Sequence, residues 1–234
     1  MNKLIDAIQV EKDIPDIFCT NPYNPTLYSP NNPFIITFSQ TRETLTDVDN
    51  YRNFLYSAIS MVRTSNFYKS YKGYLIHMGL NKCQLHPNII AGEDDVATLE
   101  MHHLGLTIYD MAMIITEHII NTYGCLTSFD LAELLRIEHE EHRLCVCMLC
   151  KTCHQLYHSN NDFKIPMSMG FGKWWEFLEK YRYGITKEIA NKIYFQLKQE
   201  LYNNDKRDEK ILNMLKVRDN IIQWSDYNDT FFKK

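Results

Sequence analysis

The apolar positions of this chain repeat with several different periods, and the changes of period mark its elements. From Thr46 to Val62, Tyr51, Phe54, Leu55, Ala58, Ile59 and Val62 fall on one face of a helix. The next stretch, SNFYKSYKGYLIHMGLNKC, reads as an amphipathic helix with lysines on its solvated side. Ile108 to Tyr123 has a strong helical pattern. Phe129 to His139 has another, with Thr127 or Ser128 as N-cap. Short apolar runs at 34–38, 96–103 and 144–149 read as strands. Cys150 to His158 follows the last of these as a helix, and the tail from Ile185 to about Ser225 carries two more helical segments. Trp174, Trp175, Phe177, Leu178 and Tyr181 recur at helical spacing and are expected in the core, as are Tyr123, Phe129 and Tyr157.

Residues 14–34 break the pattern. Five of the seven prolines lie there with four asparagines, which predicts a turn-rich arm. The expected organisation is an irregular N-terminal arm (1–46), a core domain (47–182) and a helical C-terminal extension (183–234). The predicted class is α+β, mostly helical, with helices inserted between two central strands.

The sequence has 234 residues and a net charge of −4, too acidic for a protein that coats nucleic acid through bulk charge. Any phosphate-binding surface is therefore a local patch. Lys69, Lys72 and Lys82, interleaved with aromatic residues, are one candidate; Arg136 and Arg143 are another. In each case a solvated surface charge is the plainer alternative. The N-terminus carries Asp and Glu among its apolar residues, so no signal peptide is expected. No apolar run approaches the ~18 residues of a membrane span, and no membrane partner is expected.

Nine histidines are present, and seven of them fall between His102 and His158. His154 and His158, spaced H-x3-H, lie one turn apart on one helical face, as a shared metal ion requires. His102 and His103 end a predicted strand, so their side chains point to opposite sides. One can complete a metal site while the other faces a different pocket. Three histidines would leave an open coordination position, the form of a catalytic site. His139 and His142 are expected at an exposed helix end. Four of the seven cysteines crowd into CVCMLCKTC, and no second C-x-x-C pair lies upstream. Buried free thiols are their expected state.

LEMHHLGLTIYDMA followed by LCVCMLCKTCHQLYH resembles the HNH, or ββα-metal, endonuclease motif in the form carried by large bacteriophages. GLNKCQLHPNI and IPMSMGFGKWWEFLEKY resemble the same group, so that the likeness spans roughly 65–182. The resemblance implies a central ββα-metal element and a single divalent ion (Zn, Mg, Mn or Ni). It implies His102, His154 and His158 as ligands and His103 as the base that takes a proton from attacking water. It implies that Glu100 is a carboxylate orienting a ligand histidine. The implied activity is metal-dependent hydrolysis of DNA, in the cytoplasm of a bacterial host. Cys145 stands where the family has its middle asparagine. A second reading therefore accompanies the first, an inactive HNH-derived phage protein that binds a host or phage protein, or nucleic acid, through the arm or the C-terminal helices.

Overall fold

The computed structural model describes residues 39–92, 98–159 and 165–199. Residues 1–38 of the N-terminal arm, with the strand expected at 34–38, and the second tail helix lie outside these residues; the end of the arm forms β1 and a 3-10 turn. The described chain is α+β and mostly helical. In chain order the elements are β1 (Gln40–Thr41), α1 (Val48–Thr64), α2 (Asn66–His77), β2 (Leu99–His103), α3 (Ile108–Tyr123), β3 (Cys125–Leu126), α4 (Ser128–Glu140), β4 (Val146–Cys150), α5 (Lys151–Ser159), α6 (Trp174–Lys180) and α7 (Lys187–Gln199). Single 3-10 turns occur at Thr44–Thr46, Met167–Met169 and Arg182–Gly184.

Local chemistry sets the helix ends. Asp47 caps α1 by accepting from the Asn50 N–H at 2.8 Å. Thr107 and Asp110 cap α3 reciprocally, and Gly124 closes it in a left-handed conformation at φ 88°. Thr127 caps α4. Helix α3 is the centre of the domain, with ten buried residues that include Ile108, Met111, Ile114, Ile115 and Ile119. Gly184 lets the chain cross it closely, since a Cβ there would sit 1.8 Å from the Ile114 carbonyl oxygen.

The aromatic expectations divide. Trp174, Phe177, Leu178, Tyr181 and Tyr123 are in the core. Phe129 is 63% exposed. It lies two residues before Leu131, hence on the far side of α4 from the buried Leu131, Leu134 and Leu135.

β2 and β4 pair antiparallel, with His102 opposite Cys147 and His103 opposite Val146. The helical insert α3–β3–α4 lies between them in sequence. Leu104 extends the ladder by donating to the Cys145 carbonyl at 2.8 Å. Every residue of β4 is buried. Its other edge is covered by Phe171, which exchanges two backbone hydrogen bonds with Val146 at 2.9 and 2.7 Å, and by Gln84 near Met148. Helix α5 begins directly after Cys150 and packs on β2 and β4. This ββα unit brings the strand-end histidines against the H-x3-H helix.

Candidate metal centre

His102 leaves β2 on the side that faces α5. Its ring centroid lies 5.1 Å from that of His154 and 5.2 Å from that of His158. The Nε2 atoms of His154 and His158 are 3.2 Å apart. Ligand nitrogens of all three residues fall within 4.8 Å of one another. His102 is buried, His154 half-buried and His158 exposed, so the cluster opens to solvent at one side. Tyr157 packs edge-on against His102, with centroids 4.3 Å apart.

Three observations bear on whether a cation suits this cluster. First, the His102 Nε2 is buried with no hydrogen-bond partner among the described residues, a costly state for a polar nitrogen unless something else satisfies it. Second, burial, with the neighbouring His154 and His158, pushes the His102 pKa down to about 4, so the ring is neutral at pH 7. Neutral imidazole is the form that binds metal. Third, the His154 Nδ1 contacts the Glu100 carboxylate. With Nδ1–H donating to Glu100, the lone pair of His154 is on Nε2, facing His102 and His158. The donor set therefore fits a divalent ion of the borderline class that imidazole prefers.

His103 points to the opposite side of β2. It is half-buried and meets a residue that was expected at the surface. Its Nε2 lies 3.1 Å from Nε2 of His139, which is fully buried. His139 follows Leu131, Leu134, Leu135 and Glu138 on one stripe of α4, and that continued spacing was the signal for its burial. The second nitrogen of His139, Nδ1, is 2.7 Å from the Leu135 carbonyl oxygen. A carbonyl only accepts, so the His139 proton is on Nδ1 when the ring is neutral. Its Nε2 then accepts from Nε2–H of His103, and the lone pair of His103 is left on Nδ1. Burial, followed by His139, His102 and Arg63, holds the His103 pKa well below its ordinary value.

His142 is also only half-buried, not exposed. It adopts φ 53°, sits 3.1 Å from the Tyr71 hydroxyl through Nδ1, and stacks on Tyr74.

The expected phosphate contacts are dispersed. Lys69 and Lys72 lie on α2, and Lys82 in the loop after it; Lys69 and Lys82 are exposed. Arg136 binds Glu133 and Glu140 along α4. Arg143 donates to the buried Glu138 at 2.6 and 3.2 Å. The two arginines are thus held by carboxylates. Cys145 is buried, its Sγ 3.6 Å from the Met167 carbonyl.

No helix among the described residues is long and apolar enough to cross a membrane. Comparison with curated proteins and with solved structures gave no match. Comparison with protein families gave one over residues 30–228, which takes in the whole ββα unit and its helical insert. By that match the chain belongs to the bacteriophage G278-like virion protein family.

Proposed function

We propose that this phage protein is a metal-dependent endonuclease of the HNH type, hydrolysing phosphodiester bonds in DNA. The observation that carries the reading is the convergence of His102, His154 and His158, with the Glu100 carboxylate behind His154. His102, His154 and His158 would hold one divalent ion, which as a Lewis acid would polarise a phosphate and stabilise the leaving oxygen. Glu100 fixes the tautomer and the ring plane of His154. His102 stays neutral at pH 7, so it competes for no proton. His103 keeps a lone pair on Nδ1 because His139 occupies its Nε2, and a neutral imidazole with an available nitrogen is the form that takes a proton from water. The host cytoplasm is the proposed place of action and DNA the proposed partner.

The second reading is an inactive relative that binds a host or phage protein, or nucleic acid. Three observations favour it. His103 is half-buried against His139, Arg136 and Arg143 are held by carboxylates, and Cys145 stands where the HNH motif that the sequence resembles has its asparagine. In that case the arm or the C-terminal helices carry the contact.

Plasmid nicking, with Mg²⁺, Mn²⁺, Ni²⁺ and Zn²⁺ tested separately, decides between them. The nuclease reading expects His103→Ala to lose about 10²- to 10⁴-fold in rate while still binding metal. It expects His154→Ala and His158→Ala to lose both cleavage and metal. Wild-type protein that binds metal at the histidines yet cuts with none of the four ions sinks the nuclease reading and leaves the binding one. Cleavage by His103→Ala at the wild-type rate overturns the base assignment.

A further inference from the structure

A cavity of about 280 Å³ lies between α2 and the end of α4. Phe67, Ser70, Tyr71 and Tyr74 line it from α2, and Glu140 and His142 from the end of α4 and the turn after it. The four α2 residues follow the i, i+3, i+4, i+7 spacing of one helical face. Tyr71 is buried, but Phe67 is only half-buried and Tyr74 is 44% exposed, so this face is open to a guest.

The rings at the cavity are close to parallel. Tyr74 and His142 are inclined by 4°, with centroids 5.6 Å apart. Tyr71 is inclined by 27° to His142, by 23° to Tyr74 and by 25° to Phe67. A cage for an ammonium ion turns its ring faces toward one centre. Parallel, stepped faces instead suit a flat guest that continues the stack. His142 is held for this role in a conformation rare for a non-glycine residue, φ 53°. Its N–H donates to the His139 carbonyl at 3.0 Å, and its carbonyl accepts from the Lys173 N–H at 2.6 Å. Arg136 binds one oxygen of Glu140, and the other has no partner among the described residues. A carboxylate only accepts, so the guest's edge beside it must carry an N–H.

The cavity is also next to the proposed chemistry. Phe67 and Tyr71 meet His139 edge-on, with centroids 6.3 and 5.5 Å away, and His139 in turn meets His103. One ring therefore separates the cavity from the proposed base. Arg63, at the end of α1 just ahead of this face, is exposed and has no carboxylate partner among the described residues; its charge reaches His103.

We infer that the cavity receives an unpaired nucleobase from a single-stranded stretch of DNA, stacked on Tyr74 and His142 with its amino edge toward Glu140. DNA as the source of the base rests on the nuclease reading above.

The test uses the full chain in EDTA, which suppresses metal-dependent cleavage, so a protein that cuts nothing can still pass and one that cuts DNA can still fail. Fluorescence anisotropy compares labelled oligo(dA), an abasic oligomer with the same phosphates, and duplex DNA of the same length. Oligo(dA) should bind the tightest of the three. Tyr74→Ala should weaken oligo(dA) binding by about 5- to 100-fold, the range for loss of one base–aromatic stack, and leave the abasic oligomer unaffected. Tyr74 is exposed, so the thermal midpoint should hold. His142→Gly, which suits the positive φ, should show the same selective loss. Equal binding of oligo(dA) and the abasic oligomer, or no effect of Tyr74→Ala, overturns the proposal. Displacement of oligo(dA) by choline would mark a cation cage and overturn it as well. Binding of dAMP with no gain on oligo(dA) overturns the strand as the source of the base.

Discussion

His139 donates from Nδ1 to the Leu135 carbonyl at 2.7 Å, one helical turn earlier, and so a fully buried ring is held neutral inside α4. Burial lowers its pKa from 6.5 to about 4, against the smaller upward pull of the Leu135 carbonyl and Glu138. The unfolded chain therefore takes up a proton near pH 6.5 that the folded chain refuses until about pH 4. Stability from this ring is complete above pH 6.5, falls as the pH drops through that window, and levels off below it. The loss should be on the order of 3 kcal/mol. Urea midpoints of metal-free protein between pH 7 and pH 4 measure it, and His139→Gln should have the shallower profile. Equal profiles would show that this ring is not the titrating group.

Glu138 predicts a larger effect by substitution. It is fully buried and accepts from Arg143, from Lys180 Nζ at 3.0 Å and from the Tyr181 hydroxyl at 2.9 Å. Removing the carboxylate strands two largely buried cations. Glu138→Ala should cost about 3–5 kcal/mol, while Tyr181→Phe, which removes one hydrogen bond, should cost about 1–2 kcal/mol. Chemical denaturation of the two variants gives the comparison, and the reverse order would contradict this account of the network.

Glu100→Gln tests the carboxylate behind His154. The amide cannot hold Nδ1–H as strongly, so divalent-ion affinity should fall about 10- to 100-fold with little change in stability. Calorimetric titration with Zn²⁺ or Ni²⁺ reads it, and unchanged affinity would mean that Glu100 is only a surface residue.

The glycines separate by their surroundings. Gly172 has φ 120°, and a Cβ would meet the Leu144 carbonyl oxygen at 1.9 Å. That contact sets the Cβ itself against a backbone oxygen and cannot be relieved by a rotamer change. Gly172→Ala should therefore lower the thermal midpoint sharply or prevent folding. Gly73, inside α2, has nothing within 4 Å of its would-be Cβ. Gly73→Ala should stabilise by about 0.5–1 kcal/mol. A scan of melting temperatures ranks the two, and equal effects would refute the argument from space.

What the sequence alone could reveal follows from the range of the interactions. Helix α3 runs from Ile108 to Tyr123 as its apolar period predicts, and the strand–helix step at Cys150 lies within a residue of its predicted place. Both are local patterns. The spacing of His154 and His158 was legible for the same reason. The burial of His139 was written in the leucine stripe of α4, but a polar residue at the end of a helix reads first as surface. Cys83 could not be placed from sequence, because its approach to Cys150 and Cys153 depends on Gln84 joining the edge of β4, a contact between distant segments. The partners of Glu138 were hidden likewise, since Lys180 and Tyr181 reach it from the end of a distant helix.

The insertion of α3, β3 and α4 between β2 and β4 also bears on the order of folding. The strands that carry His102 and precede His154 are far apart in sequence, and their pairing must wait until the intervening helices have compacted and drawn the ends together. The hydrogen bonds within each helix span only four residues, so helical turns can form before the strands meet. The histidine cluster is then among the last features to assemble, and a half-folded chain has no complete ligand set with which to trap a metal ion.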